Sequence, residues 1–171
     1  MSYIDDFLAQ QPMIATSEQL ANWQPDSCGK IDMRIARNGD WYHNGDEIQR
    51  KALVRLFASV LRHDEDLGYV LVTPVEKCEI DVEDVPFIAV LVEKTEGSYR
   101  FAINVGLEVS LSSNNPIEVR NYEGQRVPYI KVRDNLWARC SRNVYYDLAE
   151  EAEERSHQFG IEAAGQFWPL E

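Results

Sequence analysis

The side chains best suited to bind a ligand are arginines and aromatic residues that occur in two stretches of the chain. They are Arg34, Trp41 and Arg50 in the first stretch, and Arg139, Arg142 and Tyr145 in the second. The guanidinium fork binds a carboxylate or phosphate through two parallel hydrogen bonds, and aromatic rings stack on planar ligands. We therefore predict a site for a small anionic ligand. The alternative is that these arginines pair with the chain's own 29 acidic residues.

The distribution of charge favours a small anion over a nucleic acid. The formal net charge is −12, and an acidic chain repels a polyanion, so we expect no nucleic-acid partner. The stretch from Lys30 to Arg62 is different, because it holds seven basic and four acidic residues. A locally positive surface on an acidic protein suits a small anion.

No catalytic residue, metal site or cofactor can be proposed from the spacing of the reactive side chains. None of the three histidines has a second histidine or cysteine at metal-ligand spacing. The sequence has neither a GxSxG elbow nor a glycine-rich phosphate loop. One acidic run contains Glu76, Glu79, Asp81, Glu83 and Asp84. Because no EF-hand pattern surrounds this run, we interpret it as a solvated sheet face rather than a cation site.

The cysteines and the N-terminus indicate a cytoplasmic protein. Cys28, Cys78 and Cys140 are odd in number and far apart in the sequence, so we expect three reduced thiols. The N-terminus carries Asp5 and Asp6 and no basic residue before its apolar positions, which is unlike a secretory signal. The longest apolar run, Phe87 to Val92, is far shorter than the about 20 residues that cross a bilayer. We therefore expect no membrane association.

Hydrophobic periodicity predicts an α+β fold. Apolar and polar residues alternate in 31–37 and 77–83, which indicates half-buried strands, and Asn-Gly pairs at 38–39 and 44–45 indicate tight turns. The run Phe87 to Val92 reads as a central strand. Apolar residues at helical spacing predict helices over residues 2–10, 17–23, 49–62 and 142–155.

Two internal echoes indicate a repeated module. Residues 74–90 resemble residues 116–132 without a gap, and a weaker echo pairs Arg37, Trp41 and Ile48 with Arg133, Trp137 and Val144. The echoes compete for residues 128–133, so both cannot be one ancestral alignment. We predict two related β-rich modules with flanking helices, over residues 1–84 and 85–171, the second with a C-terminal helix and a docked tail. Ligands tend to bind in a cleft between halves, so we place the anion site there.

Several motifs give the chain a specific resemblance. They include CGKIDMRIARNGDWYHNGDEIQRKALVRLF (28–57), YVLVTPVEK (69–77), VEDVPF (82–87), FAINVG (101–106), PYIKVR (128–133) and FWPL (167–170). These stretches closely resemble, in order, the bacterial family called domain of unknown function 1285. The resemblance implies a two-part α+β fold of roll-like, mostly antiparallel sheets with repeated motifs and a binding site between the parts. A signalling role has been suggested for that family, and no activity is established.

The chain departs from this family pattern at three places. Ile103 stands where the family tends to have threonine, and Trp137 where it tends to have glutamate. The tail around residues 162–164 lacks the usual Trp-Ser pair. If these positions line the family's site, the resemblance implies a different ligand here.

These observations lead to three hypotheses of function. The first is a soluble binding or regulatory protein with an anionic small-molecule site, acting in signal transduction. The alternative is a protein-interaction or scaffold module that uses the acidic sheet face of Glu79, Asp81 and Glu83. The third is an enzyme without a recognisable motif, ranked last because spacing suggests no nucleophile–base pair or metal set.

Overall fold

The computed structural model describes residues 17–171, in which each of two compact units is built on a six-stranded sheet. The first unit ends at Asp84 and the second begins at Val85. The helix predicted over residues 2–10 lies outside the described residues. The α+β fold of two related β-rich modules is confirmed.

In the first unit, residues 17–84 form two short helices and a sheet. Its elements are α1 (Ser17–Asn22), β1 (Ser27–Ile35), β2 (Trp41–His43), β3 (Asp46–Glu47), α2 (Lys51–Ser59), β4 (Leu61–Asp64), β5 (Gly68–Val72) and β6 (Lys77–Val82). The strand order is β3-β2-β1-β6-β5-β4. All neighbours are antiparallel except the central pair, β1 and β6, which runs parallel.

The second unit contains a six-stranded sheet, one helix and a smaller sheet. Its elements are β7 (Phe87–Thr95), β8 (Ser98–Ile103), β9 (Glu108–Ser110), β10 (Ile117–Tyr122), β11 (Gln125–Arg133), β12 (Leu136–Cys140), α3 (Arg142–Glu150), β13 (Glu153–Arg155), β14 (Gln158–Ala163) and β15 (Gln166–Pro169). The large sheet has the order β10-β11-β12-β7-β8-β9, with β7 and β12 parallel at its centre. The predicted central position of the strand that begins at Phe87 is therefore correct.

The two large sheets share one topology, in which two three-stranded meanders meet through a central parallel pair. In this correspondence β1 matches β7, and each later strand matches the strand six places further on. Neither sequence echo aligns corresponding strands, because the first matches β6 and β7 with β10 and β11. The second matches the hairpin of β1 and β2 with that of β11 and β12. The repeat is therefore one of topology, and both echoes reflect similar hairpin patterns.

Strand alternation and turn chemistry explain the first half of the first sheet. Met33 and Ile35 point into the core while Arg34 between them is half exposed. Asn44 and Gly45 both have positive φ, 52° and 85°, which is the backbone of a type I′ hairpin turn and favours Asn-Gly. The turn therefore sets the pairing of β2 with β3.

Two predicted helices are shorter in the structure. Helix α2 ends at Ser59 rather than near Arg62, because Leu61 begins a strand and pairs with Leu71. Helix α3 ends at Glu150 rather than near Arg155, because residues 153–155 pair with β14. In both cases strand pairing with distant residues overrides the local helical pattern. None of the helices in the described part of the chain has the length and apolar character needed to cross a membrane.

The expectation of three reduced thiols is wrong, because Cys28 and Cys78 form a disulfide with a Cα–Cα distance of 5.5 Å. The bond links the parallel strands β1 and β6, in which Cys78 lies opposite Gly29. Fifty residues separate the two cysteines in sequence, so their spacing gave no sign of the pairing. Cys140 is a free, buried cysteine.

The C-terminal segment is docked by its apolar side chains. Strands β14 and β15 form a hairpin in which Ile161, Trp168 and Leu170 are buried. Gly160 sits where this packing is tightest, since an added Cβ would clash with the Trp168 carbonyl oxygen. It would also lie 2.8 Å from Phe167 Cζ and 2.9 Å from Pro169 Cα. Glycine is therefore required at this position for steric reasons.

We predict that Gly160→Ala lowers the free energy of unfolding by about 3 kcal/mol, the upper end of the usual cost of overpacking, because the backbone cannot move aside. The matched control is Gly165→Ala in the same hairpin. There a Cβ has nothing within 4 Å and only the positive φ of 77° is strained, at a cost of about 1 kcal/mol. Urea unfolding measures both variants, and equal losses would contradict the steric explanation.

The first unit contains a cluster of three charged side chains that is mostly shielded from water. Asp64 Oδ2 lies 3.1 Å from Lys77 Nζ and 3.5 Å from Arg62 Nη2, and Arg62 also donates to the carbonyl oxygens of Leu20 and Trp23. The hydrogen bond from Lys77 holds the pKa of Asp64 below its usual value. This cluster therefore ties helix α1 to strands β4 and β6.

We expect Asp64→Asn to lower the free energy of unfolding at neutral pH by roughly 1–3 kcal/mol, because two cations lose a shared carboxylate. A carboxyl whose pKa is lowered by folding stabilises the fold above its unfolded pKa, and that stabilisation disappears as pH falls through the folded pKa. The difference from the wild type should therefore shrink in acid. Glu65→Gln, at an exposed neighbour, is the control, and a pH-independent difference would contradict the prediction.

Candidate functional site

One face of the second large sheet carries arginines and aromatic rings side by side. We call it the aromatic–arginine face, and it consists of Arg120, Tyr122, Tyr129, Trp137 and Arg139. In the strand register Tyr129 lies opposite Arg139 in β12, and it also lies opposite Glu118, two residues before Arg120 in β10. Directly paired residues share a face, so the three strands present these side chains together. The other face, with Ile130 and Ala138, is buried. On the aromatic–arginine face itself Tyr129 and Trp137 are also buried, at 1% and 7% exposed, beneath the partly exposed arginines.

Arg120 lies over two aromatic rings. Its Cζ atom is 4.3 Å from the ring centroid of Trp137 and 5.0 Å from that of Tyr129, within the range of favourable cation–π contact. Its Nη2 also donates to Glu118 Oε2 at 3.0 Å. Glu118 keeps 53% of its side chain exposed, and exposed ion pairs contribute only about 0–1 kcal/mol. The rings therefore fix the position of Arg120 as much as the carboxylate does.

Arg139 makes the same kind of contact at the other end of the face. Its Cζ atom is 4.0 Å from the ring centroid of Tyr122. A guanidinium held over a ring has a restricted position, and its N–H donors lie in the plane of the group. The arrangement can therefore present oriented donors to an anion without first ordering a flexible side chain.

The three predicted site residues of the first unit lie in three different environments. Arg34 Nη1 pairs with Glu83 Oε1 at 2.7 Å and its guanidinium lies over Tyr42 at 4.4 Å. Trp41 is 1% exposed and packs on Phe57 in the core, so its ring is not open to a ligand. Arg50 is exposed at the residue before α2. The structure does not collect these three side chains around one point.

In the second unit only one predicted residue belongs to the aromatic–arginine face. That residue is Arg139, whereas Arg142 is exposed at the first position of α3, and Tyr145 packs edge-on against Tyr146 within that helix. Sequence reasoning did not select Arg120, Tyr122, Tyr129 or Trp137 as site residues, although a signal existed for the first two. Their signal was the alternation of Glu118, Arg120 and Tyr122 along β10, which predicts that all three share a face.

The acidic sheet face of the first unit is largely engaged with the chain's own cations. Lys30 Nζ lies 2.6 Å from Asp81 Oδ1, and Glu83 accepts from Arg34 and from the Arg37 backbone N–H at 2.9 Å. β6 lies in the middle of its sheet. These contacts reduce the negative charge that Asp81 and Glu83 offer to a partner.

Among residues 17–171, the group whose side chains could hold a metal ion is Cys28, Glu76 and Cys78. Its two sulfur atoms and one carboxylate oxygen all lie within 4.8 Å of one another. Sequence reasoning missed this group because Cys28 lies 50 residues from Cys78 in the sequence and meets it only through the pairing of β1 with β6.

The hydrogen bonds that Glu83 accepts make its ionisation depend on the fold. The hydrogen bond from the Arg37 backbone N–H, and after it the contact with Arg34, holds the pKa of Glu83 below its usual value. This carboxylate therefore stabilises the fold above its unfolded pKa, and the contribution disappears as pH falls through the folded value. We expect Arg34→Gln to raise the pKa of Glu83 only part of the way to its ordinary value, because the Arg37 N–H remains.

An NMR titration of the carboxyl carbon measures this effect, with Glu83→Gln to assign the signal. Lys30→Gln is the matched control, since it removes a cation from the same face that pairs with Asp81 rather than Glu83. A full return to the ordinary pKa in Arg34→Gln would show that the arginine, and not the backbone, holds the carboxylate.

Comparison with known proteins identifies the family. Residues 19–85 match the model described as "Domain of unknown function (DUF1285), N-terminal domain", and residues 86–170 match "Protein of unknown function (DUF1285), C-terminal domain". A DUF1285 family crystal structure from Silicibacter pomeroyi DSS-3 is similar, with 39% identity, a TM-score of 0.86 and coverage of 95% of this chain and 93% of that one. Another, from Shewanella baltica OS155, has 27% identity, a TM-score of 0.58 and coverage of 70% and 91%. No curated protein matches. The chain belongs to the DUF1285 family.

Proposed function

We propose that this DUF1285 protein is a regulatory binding protein whose second unit holds a small planar anion on the aromatic–arginine face. The observation that supports the proposal is the stacking of Arg120 and Arg139 on the rings of Trp137, Tyr129 and Tyr122. In this proposal the activity is binding. We further propose that binding of the anion lets the protein act as a ligand sensor in signal transduction.

Stacking prepares the two arginines for binding. A free arginine loses up to about 2 kcal/mol of rotamer entropy when a ligand immobilises it, and here the rings already restrict it. Two guanidinium groups on one sheet face also attract a negative charge despite the acidity of the chain as a whole. A carboxylate can then accept two parallel hydrogen bonds from one fork.

The stacked arginines also favour a particular class of anion. Because Tyr129 and Trp137 are buried, a flat ligand would stack on the outer surfaces of the guanidinium groups rather than on these rings, whereas inorganic phosphate has no flat surface to stack. We therefore expect an aromatic carboxylate to bind more tightly than phosphate. Its carboxylate would replace Glu118 at Arg120, which is a weak competitor because the Glu118 side chain is half exposed.

We predict that benzoate and its larger aromatic analogues raise the melting temperature of the full chain, and that acetate and inorganic phosphate do so less at equal concentration. Titration calorimetry gives the affinities. Arg120→Gln and Arg139→Gln should each weaken binding at least about tenfold, the usual loss for a charge-assisted hydrogen bond. The loss should appear without a matching loss of stability.

The matched control is Arg126→Gln, which makes the same change of charge at an exposed position of β11. Arg126 pairs with Asn121, so it lies on the face opposite Arg120. The control should bind like the wild type. The proposal is wrong if no aromatic carboxylate binds at millimolar concentration, or if Arg126→Gln weakens binding as much as Arg139→Gln does.

A further inference from the structure

We propose that Cys28, Glu76 and Cys78 in the first unit form a redox-controlled binding site for a thiophilic divalent cation, for which Zn²⁺ is the probe. Their donor atoms lie within 4.8 Å of one another. In the disulfide form the sulfur atoms are bonded to each other and the site is closed. Reduction frees two thiols beside the carboxylate and opens the site. This site is independent of the anion site proposed for the second unit.

The backbone brings Cys28 to its partners through an irregularity in the parallel pairing. Ser27 lies opposite Lys77 and Gly29 opposite Cys78, so Cys28 is an extra residue without a partner on β6. Such a bulge turns a side chain away from the regular alternation. Gly29 has a φ of +93°, which glycine adopts at little cost. The Cys-Gly pair thus allows the sulfur of Cys28 to reach Cys78.

Glu76 is held at the site by a turn. Thr73 is fully buried, its backbone N–H donates to the Glu76 carbonyl oxygen at 2.9 Å, and its hydroxyl accepts from the Glu76 N–H at 3.2 Å. These bonds fix the backbone of Glu76 directly before β6. The carboxylate is therefore placed by a rigid turn rather than by a mobile loop.

An unsatisfied atom indicates that the site has a missing partner. Glu76 Oε1 is shielded from water, and no residue between 17 and 171 donates a hydrogen bond to it. A carboxylate oxygen is an acceptor that requires a donor or a cation when it is desolvated. A metal ion shared with the two sulfur atoms would satisfy this oxygen.

The donor set suits zinc. Two thiolates and a carboxylate are typical zinc ligands, at about 2.3 Å for sulfur and about 2.0–2.2 Å for oxygen, and water commonly completes a four-coordinate site with three protein ligands. Magnesium and calcium prefer sites made entirely of oxygen. The sulfur atoms therefore select a softer ion. Thiolates rather than thiols bind the metal, so binding requires that the two cysteines lose their protons.

Opening the site requires one external reactant, a dithiol. A dithiol gives two electrons and two protons to the bond between Cys28 and Cys78 and becomes a disulfide itself, leaving two protein thiols. Binding of Zn²⁺ then displaces both thiol protons to solvent. Cys28 is exposed, so a reductant can attack its sulfur, while Cys78 is buried.

The third cysteine does not compete for the metal. Cys140 is buried in the second unit, and its burial raises the pKa of the thiol to about 12. It therefore stays protonated at neutral pH. Any thiolate chemistry of the folded, reduced chain belongs to Cys28 and Cys78.

The experiment compares oxidised and reduced full-length protein after removal of the reductant under nitrogen. Zn²⁺ binding is measured by competition with a chromogenic chelator, and Co²⁺ is used to detect sulfur-to-metal charge-transfer absorption. The reduced protein should bind one Zn²⁺ at least about a hundredfold more tightly than the oxidised protein does, because two of three ligands are otherwise unavailable. Bound Zn²⁺ should also protect Cys28 from alkylation.

Variants distinguish a metal site that includes the Glu76 carboxylate from a simple pair of thiols. Glu76→Gln retains the disulfide and should weaken Zn²⁺ binding at least about tenfold, because even an outer-shell partner is worth about 10–100-fold, and Cys28→Ser should weaken the charge-transfer band. Glu79→Gln, a change of the same charge in β6, is the control. Glu76→Ala with a thermal melt serves if the glutamine variant folds poorly.

Two results would overturn the proposal. One is equal Zn²⁺ affinity in the oxidised and reduced protein. The other is wild-type affinity in both Glu76 variants, which would mean that the two thiols bind zinc without the carboxylate. Neither result bears on the binding of aromatic carboxylates, which is tested separately with Arg120 and Arg139.

Discussion

The parallel pairing of the first and last strands of each large sheet is the constraint on which both units depend. Each unit folds as two local meanders, and only the central pairs, β1 with β6 and β7 with β12, join them. Closing that pair requires contacts between residues about 50 positions apart, at an entropic cost that rises slowly with loop length. In the first unit the pairing also brings Cys28 to Cys78 and Arg34 to Glu83. The chemistry of that unit is therefore a consequence of its topology.

This division between local and central pairing explains what the sequence could predict. Hairpins follow from neighbouring residues, so Asn44 and Gly45 could be recognised as a turn and Met33 and Ile35 as buried positions. The limits of α2 and α3 could not be found in this way, because Leu61 and the residues after Glu150 join strands whose partners come later in the chain. The disulfide likewise depends on a non-local pair. The composition argument for reduced thiols failed because it contained no information on topology.

The anion site likewise depends on neighbours that only the folded sheet brings together. Sequence composition selected arginines near tryptophan, but it could not tell which of them face carboxylates. On the first sheet Arg34 meets Glu83 and Lys30 meets Asp81, so the cations are neutralised within the unit. On the second sheet Arg120 and Arg139 lie over aromatic rings, which orient a cation without neutralising its charge, and Arg120 also pairs with the exposed Glu118. Arg34 of the first sheet also lies over a ring, that of Tyr42, so the two sheets differ in degree, and neighbouring residues of the folded sheet decide how fully each arginine is paired with a carboxylate.

Both proposed sites join partly exposed side chains to buried ones, since Tyr129, Trp137 and Cys78 are buried. In the second sheet the residues opposite the aromatic–arginine face, such as Ile130 and Ala138, supply the buried packing, and Arg120 and Arg139 lie on the other side. In the first unit the exposed Cys28 leaves the regular strand alternation at a bulge, whereas Cys140 faces the core and is kept from reacting by its burial. A β-sheet separates these roles by residue parity. The bulge at Cys28 shows how one inserted residue can move a reactive group from one role to the other.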